Sequence, residues 1–90
     1  MIFLGEFVMN ETRLAQIGII VTEKSAVGIL NGLLSAYGEY IIGRMGLPVK
    51  ERGISVISLV VDAPADVINS LTGKLGSLEG VAAKTLFAKT

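Results

Sequence analysis

Ile54–Val61, ISVISLVV, is β-branched or aliphatic on both parities. Successive side chains of a strand face opposite sides of a sheet. As a strand, this stretch turns Ile57, Leu59 and Val61 one way and Ile54, Val56 and Val60 the other, interrupted by Ser58. Such a strand is buried on both faces. The rest of the chain has two helical segments, enough to cover one face, so the other is expected to await a partner.

Ninety residues bound the chain to a single domain of modest core, a size at which association often adds stability. Hydrophobic residues make up 51% of it, which fits a globular chain and not a disordered one. Eight basic and eight acidic residues cancel, leaving no electrostatic footprint for nucleic acid or an anionic membrane. Cysteine is absent, which excludes disulfides, thiolate metal sites and iron–sulfur ligation. Histidine is absent too, removing the commonest general base and the commonest transition-metal ligand. No cofactor is expected. The opening Met1–Met9, MIFLGEFVM, lacks a basic n-region, is broken by Gly5 and Glu6, and precedes no small-residue cleavage site. Residues 1–12 therefore read as an apolar, disordered N-terminal arm, with Met9 as an alternative start, and residues 13–90 as the folded domain. No run reaches the roughly 18 apolar residues of a membrane span, and a cytoplasmic location is expected.

Arg13–Val21, RLAQIGIIV, reads as a second strand of the same kind, with Ala15, Ile17, Ile19 and Val21 on one face and Leu14 and Ile20 on the other. Thr22–Lys24 is a polar turn, and Ser25 is suited to cap a helix running to Tyr37, with Gly38 closing it in the left-handed conformation. Gly28 and Gly32, four apart, suggest close approach of that helix to a neighbour. Tyr40–Met45 is a short strand, Gly46–Gly53 a punctuated loop, and Ile54–Asp62 the opening strand. Pro64 suits a first helical position, and Ile68, Leu71 and Leu75 line one face of the helix that follows. Val81–Phe87 is the last strand.

Two successive strand–helix–strand halves predict an α+β, ferredoxin-like βαββαβ fold. In it a four-stranded antiparallel sheet has its first and third strands at the centre and both helices on one face. Leu14, Ile20, Ile54, Val56 and Val60 then line the open face. Burying such a side chain is worth roughly 1.5–3 kcal/mol. Five of them rival the ~5–15 kcal/mol net stability of a whole domain. These residues are the expected interface of a homo-oligomer, dimer or tetramer; the N-terminal arm is the other cover the chain could supply.

Reactive constellations are weak. Gly73-Lys74 has Ile68 where a phosphate loop needs its first glycine and Leu75 where it needs Ser or Thr, so Gly73 is read as permitting close helix packing. Gly43-Arg44-Met45-Gly46 lacks dinucleotide-loop spacing. The central strand has no aromatic stackers for RNA, and Thr22-Glu23-Lys24-Ser25 is no glycine-rich anion cradle. Arg44, Lys50 and Arg52 cluster around the Gly46–Gly53 loop, where an arginine fork suits a carboxylate or phosphate. Ser70 and Lys74 form an i,i+4 pair without an oxyanion-hole signal.

IGIIV at Ile17–Val21, IIGRMGLPVKERGISVISLVV at Ile41–Val61 and LTGKLGSLEGVAAKT at Leu71–Thr85 together resemble the small regulators of the iron-only hydrogenase system. The likeness covers nearly all of the chain beyond residue 12. It implies a fold similar to the ACT domain and to the C-terminal domain of the nickel-responsive repressor, both oligomeric sensors. It also implies a regulatory or accessory role beside hydrogenase maturation. The repressor's nickel ligands are His and Cys, which this chain lacks, and its first twelve residues cannot hold a ribbon-helix-helix segment. Direct nickel sensing and direct DNA binding are therefore not expected.

The reading that results is a non-enzymatic, ACT-like homo-oligomer. A small effector would sit at a subunit boundary, contacted by Thr22, Glu23, Ser25, Arg44 and Gly46. Two alternatives are a small ferredoxin-like enzyme using Arg44, Lys74 or a carboxylate, and a structural adaptor binding a hydrogenase-maturation protein through the apolar face.

Overall fold

The computed structural model describes residues 11–89; the expected arm lies almost wholly outside them. Strand β1 (Arg13–Val21) leads through a 3-10 turn (Lys24–Ala26) into helix α1 (Val27–Ala36). A second such turn, Gly38–Tyr40, leads to β2 (Ile41–Val49), and a third, Lys50–Arg52, joins β2 to β3 (Ile54–Ala63). Helix α2 (Ala65–Gly76) and β4 (Val81–Phe87) complete the chain. The four strands form one antiparallel sheet in the order β2-β3-β1-β4, so β1 and β3 are central, as the two apolar strands require.

The core lies between the sheet and the two helices. Ala15, Ile17, Ile19 and Val21 of β1 and Ile57, Leu59, Val61 and Ala63 of β3 are buried against Leu30 and Leu34 of α1 and Ile68, Leu71 and Leu75 of α2. The strict alternation along β1 is the period-2 signature of a sheet covered on one side. Helix α2 lies over the β4 edge, where the Thr72 and Thr85 hydroxyls meet and Thr72 Oγ1 also donates to the Ile68 carbonyl at 2.9 Å.

Several local expectations are corrected. Ser25 caps nothing: it sits inside a 3-10 turn whose backbone bond, Ala26 N–H to Glu23 O at 3.1 Å, leads into α1, with Ala26 at the N-cap. Gly38 has no positive φ and begins the next 3-10 turn; among the described residues the left-handed glycines are Gly53 and Gly80. Pro64 is the N-cap of α2, one position earlier than expected, and its carbonyl accepts from Val67 and Ile68. Gly28, Gly32 and Gly73 face open space, where an added Cβ meets nothing within 4 Å, so none of them serves close packing. Strand β2 continues through Gly46 and Pro48 to Val49, where a loop was expected. It is an edge strand, and one side of an edge strand has no ladder bond for a proline to break.

Candidate functional site

Among the described residues, the helix-free face of the sheet carries a group of exposed apolar side chains. The register aligns Leu47, Val56, Ile20 and Ala82 in one row across the four strands. Met45, Ser58, Gly18 and Lys84 form the next, and Gly43, Val60, Gln16 and Leu86 the one after. Leu14, Ile20, Val56 and Val60, read from the sequence as open-face residues, all lie here and are exposed, while Ile54 is half-buried beside Val49. Met45 at 71%, Leu47 at 63% and Leu86 at 70% exposure join them. Sequence reasoning missed these three. Met45 and Leu47 straddle what read as the strand–loop border, and Leu86 lies on an edge strand whose alternation was not followed. The polar thread across the face is the 2.8 Å bond from Gln16 Nε2 to Ser58 Oγ. Among the described residues, Asp62 and Lys84 are the charged groups in register on this face.

A bulge sets what each side of β2 presents. Ile41 pairs with Val61 and Gly43 with Val60, so Ile42 is an extra residue. Beyond it the parity of the strand is shifted. Arg44, opposite Leu59, turns to the helix side; Met45 and Leu47, opposite Ser58 and Val56, turn to the open face. Without the extra residue these assignments would be exchanged.

On the helix side Arg44 meets α1, where its guanidinium donates to Asn31 Oδ1 at 3.0 Å. The two residues form the polar wall of a cleft of about 210 Å³ between α1 and β2. Val21, Val27, Leu30 and Ile57 supply its apolar lining, and Gly46, Pro48 and Ser55 run along β2 and β3 beside it. Pro48 and Ser55 also border a wider hollow of about 410 Å³, edged by Lys24 and Lys50. Among the described residues, no carboxylate lines either space.

The residues proposed from sequence to hold an effector are thus divided. Arg44 and Gly46 share the cleft. Thr22 is tied to the Gly80 turn, its amide and its hydroxyl both donating to the Gly80 carbonyl at 2.7 and 3.2 Å. Glu23 packs on the same turn: a Cβ at Gly80 would stand 2.3 Å from Glu23 Cγ. Ser25 is exposed in the turn before α1.

A second polar cluster joins the helices. Lys74 Nζ donates to the Tyr37 hydroxyl at 2.9 Å and lies 5.3 Å from its ring centroid, and Ser70 Oγ lies 3.3 Å from the same oxygen. The lysine, with Ser70 adding to it, holds the phenol below the ordinary tyrosine range. The cluster is exposed, and neither the cleft nor the hollow beside it opens onto it. No group of three or more metal-ligating side chains gathers among the described residues, and no described helix is long and apolar enough to cross a membrane.

A βαββαβ sheet with both helices on one side and the other side open is the architecture of ACT-like domains. The ACT domain of GTP pyrophosphokinase from Chlorobium tepidum has this fold, with a TM-score of 0.72 at 23% identity over 83% of this chain and 99% of that one. An unknown protein from Galdieria sulphuraria is similar at 0.63 and 15% identity, over 89% of this chain and 47% of that one. The uncharacterized protein TM1266 from Thermotoga maritima matches with a TM-score of 0.85 and 38% identity, over 88% of this chain and all of that one. Residues 13–85 match the family model described as "TM1266-like: Iron-only hydrogenase system regulator, putative", and the chain belongs to that family. No curated protein matches significantly.

Proposed function

We propose that the protein is a non-enzymatic, cytoplasmic regulatory domain of the iron-only hydrogenase system, allied to hydrogenase maturation. In this reading it self-associates through the open sheet face and takes a small effector at the β2 rim of the assembly. The observation that carries the reading is the apolar open face. Leu14, Ile20, Val56, Val60, Met45, Leu47 and Leu86 are all exposed on a sheet face that no helix among the described residues covers. Contiguous patches of this kind mark association surfaces.

Size supports it as well. Four strands ~4.8 Å apart, averaging about nine residues at ~3.3 Å per residue, span roughly 19 by 30 Å, about 570 Å² per copy. Two copies together reach the ~1,000 Å² expected of a biological interface. One acid and one base on the face, Asp62 and Lys84, let two copies meet without net repulsion. The family to which the chain belongs supports the regulatory role, and the lack of His and Cys supports a non-enzymatic one.

The test is a double substitution, Val56→Lys with Val60→Lys, followed by sedimentation analysis. Both side chains are exposed in the single chain, so the fold is expected to persist by circular dichroism while the mass falls to that of one copy. A folded variant with unchanged assembly would remove the open face from the account.

A further inference from the structure

We propose that the cleft between α1 and β2 binds a small organic anion, an oxyanion head on a short apolar body, with Arg44 as the group that recognises the charge. The bulge at Ile42 turns Arg44 into the cleft. Asn31 Oδ1 then holds one arm of the guanidinium at 3.0 Å. A guanidinium carries five N–H donors in a planar fork, and the Asn31 bond occupies one. The donors that remain suit a carboxylate or phosphoryl oxygen pair.

Charge complementarity favours an anion. Among the described residues the cleft is lined by Arg44 and no carboxylate, and the hollow continuing past Pro48 and Ser55 adds Lys24 and Lys50, again with no carboxylate. The apolar body follows from Val21, Val27, Leu30 and Ile57 opposite the cation. At about 210 Å³ the cleft is smaller than the ~300–1,000 Å³ of drug-sized pockets, which selects a small molecule. One copy of the chain supplies all these residues, so binding does not depend on self-association. Only the effector role of the ligand rests on the regulatory reading above. A route between the two exists: Gly46 and Leu47 border both the cleft and a hollow on the open face.

The experiment is a titration of the full chain with sodium pentanoate, read by amide chemical shifts, with 1-pentanol and inorganic phosphate as comparison probes. Pentanoate is expected to shift Asn31, Arg44, Gly46 and Ser55. Pentanol and inorganic phosphate are each expected to bind at least fivefold more weakly. Arg44→Met is expected to weaken pentanoate at least fivefold. Val27→Glu is an independent second variant: it sets a carboxylate in the cleft while favouring the first turn of α1. It should weaken pentanoate comparably. No shift at these residues, equal binding of pentanol or of inorganic phosphate, or pentanoate binding undiminished in both folded variants would overturn the proposal. Solution mass, measured alongside, reads the self-association proposal separately.

Discussion

Gly80 shows how one position ties the ends of two strands together. Its φ is +77°, in the region that side-chain-bearing residues rarely adopt, and its flank is closed by Glu23. An alanine there would stand 2.6 Å from Glu23 Cβ and 3.1 Å from the Glu23 amide nitrogen. Strain and overlap add, so Gly80→Ala is expected to cost about 2–4 kcal/mol. Gly53, at φ +65°, has open space around it and carries the backbone cost alone, so Gly53→Ala is expected to cost about 1–2 kcal/mol. Urea titration should show the larger loss of midpoint for Gly80→Ala with unchanged slopes; equal losses would contradict the contact. Gly53 closes a stretch that reads from the sequence as a loop, but Glu23 as the neighbour that closes on Gly80 could not be read, because the two are brought together only by the pairing of β1 with β4. The effector residues proposed along Thr22–Ser25 divided for the same reason: Thr22 and Glu23 serve the Gly80 turn, while Arg44 lies at α1.

The strands and helices were legible in proportion to their periodicity. β1 and β3 alternate so regularly that their central place and buried faces follow from the residues, and Ile68, Leu71 and Leu75 announce the buried side of α2. β2 was harder to read. Gly46 and Pro48 punctuate it, yet an edge strand tolerates both, and the extra Ile42 shifts a parity that no local pattern displays. The cleft depends on that shift, so it could be found only once the register was known. Between the helices, the Lys74–Tyr37 contact couples the C-terminal end of α1 to α2. Its effect on pH dependence has a definite sign. The folded phenol ionises below its unfolded value of about 10, so the contact's added stability is fully present above that value and is lost as pH falls through the lower folded value. A phenolate absorbance titration should find Tyr37 ionising early, and Lys74→Met should return it towards the ordinary range. An early titration unchanged in that variant would exclude the lysine as its cause.

In the whole molecule, one side of the sheet holds the core and the other side holds apolar residues that the described chain does not cover. Among the described residues, the two helices of ten and twelve residues both lie on one face of the four-stranded sheet. The central strands nonetheless carry aliphatic residues on both faces, which a stable single-copy surface does not require. The proposed self-association would account for both facts, and it would leave the α1–β2 cleft outside the covered face yet adjoining it through Gly46 and Leu47. The most direct test is the mass of the unmodified chain by light scattering across the micromolar range. Self-association through the open face is expected to give two or four copies of the 9.5 kDa chain. A single-chain mass throughout that range would contradict it.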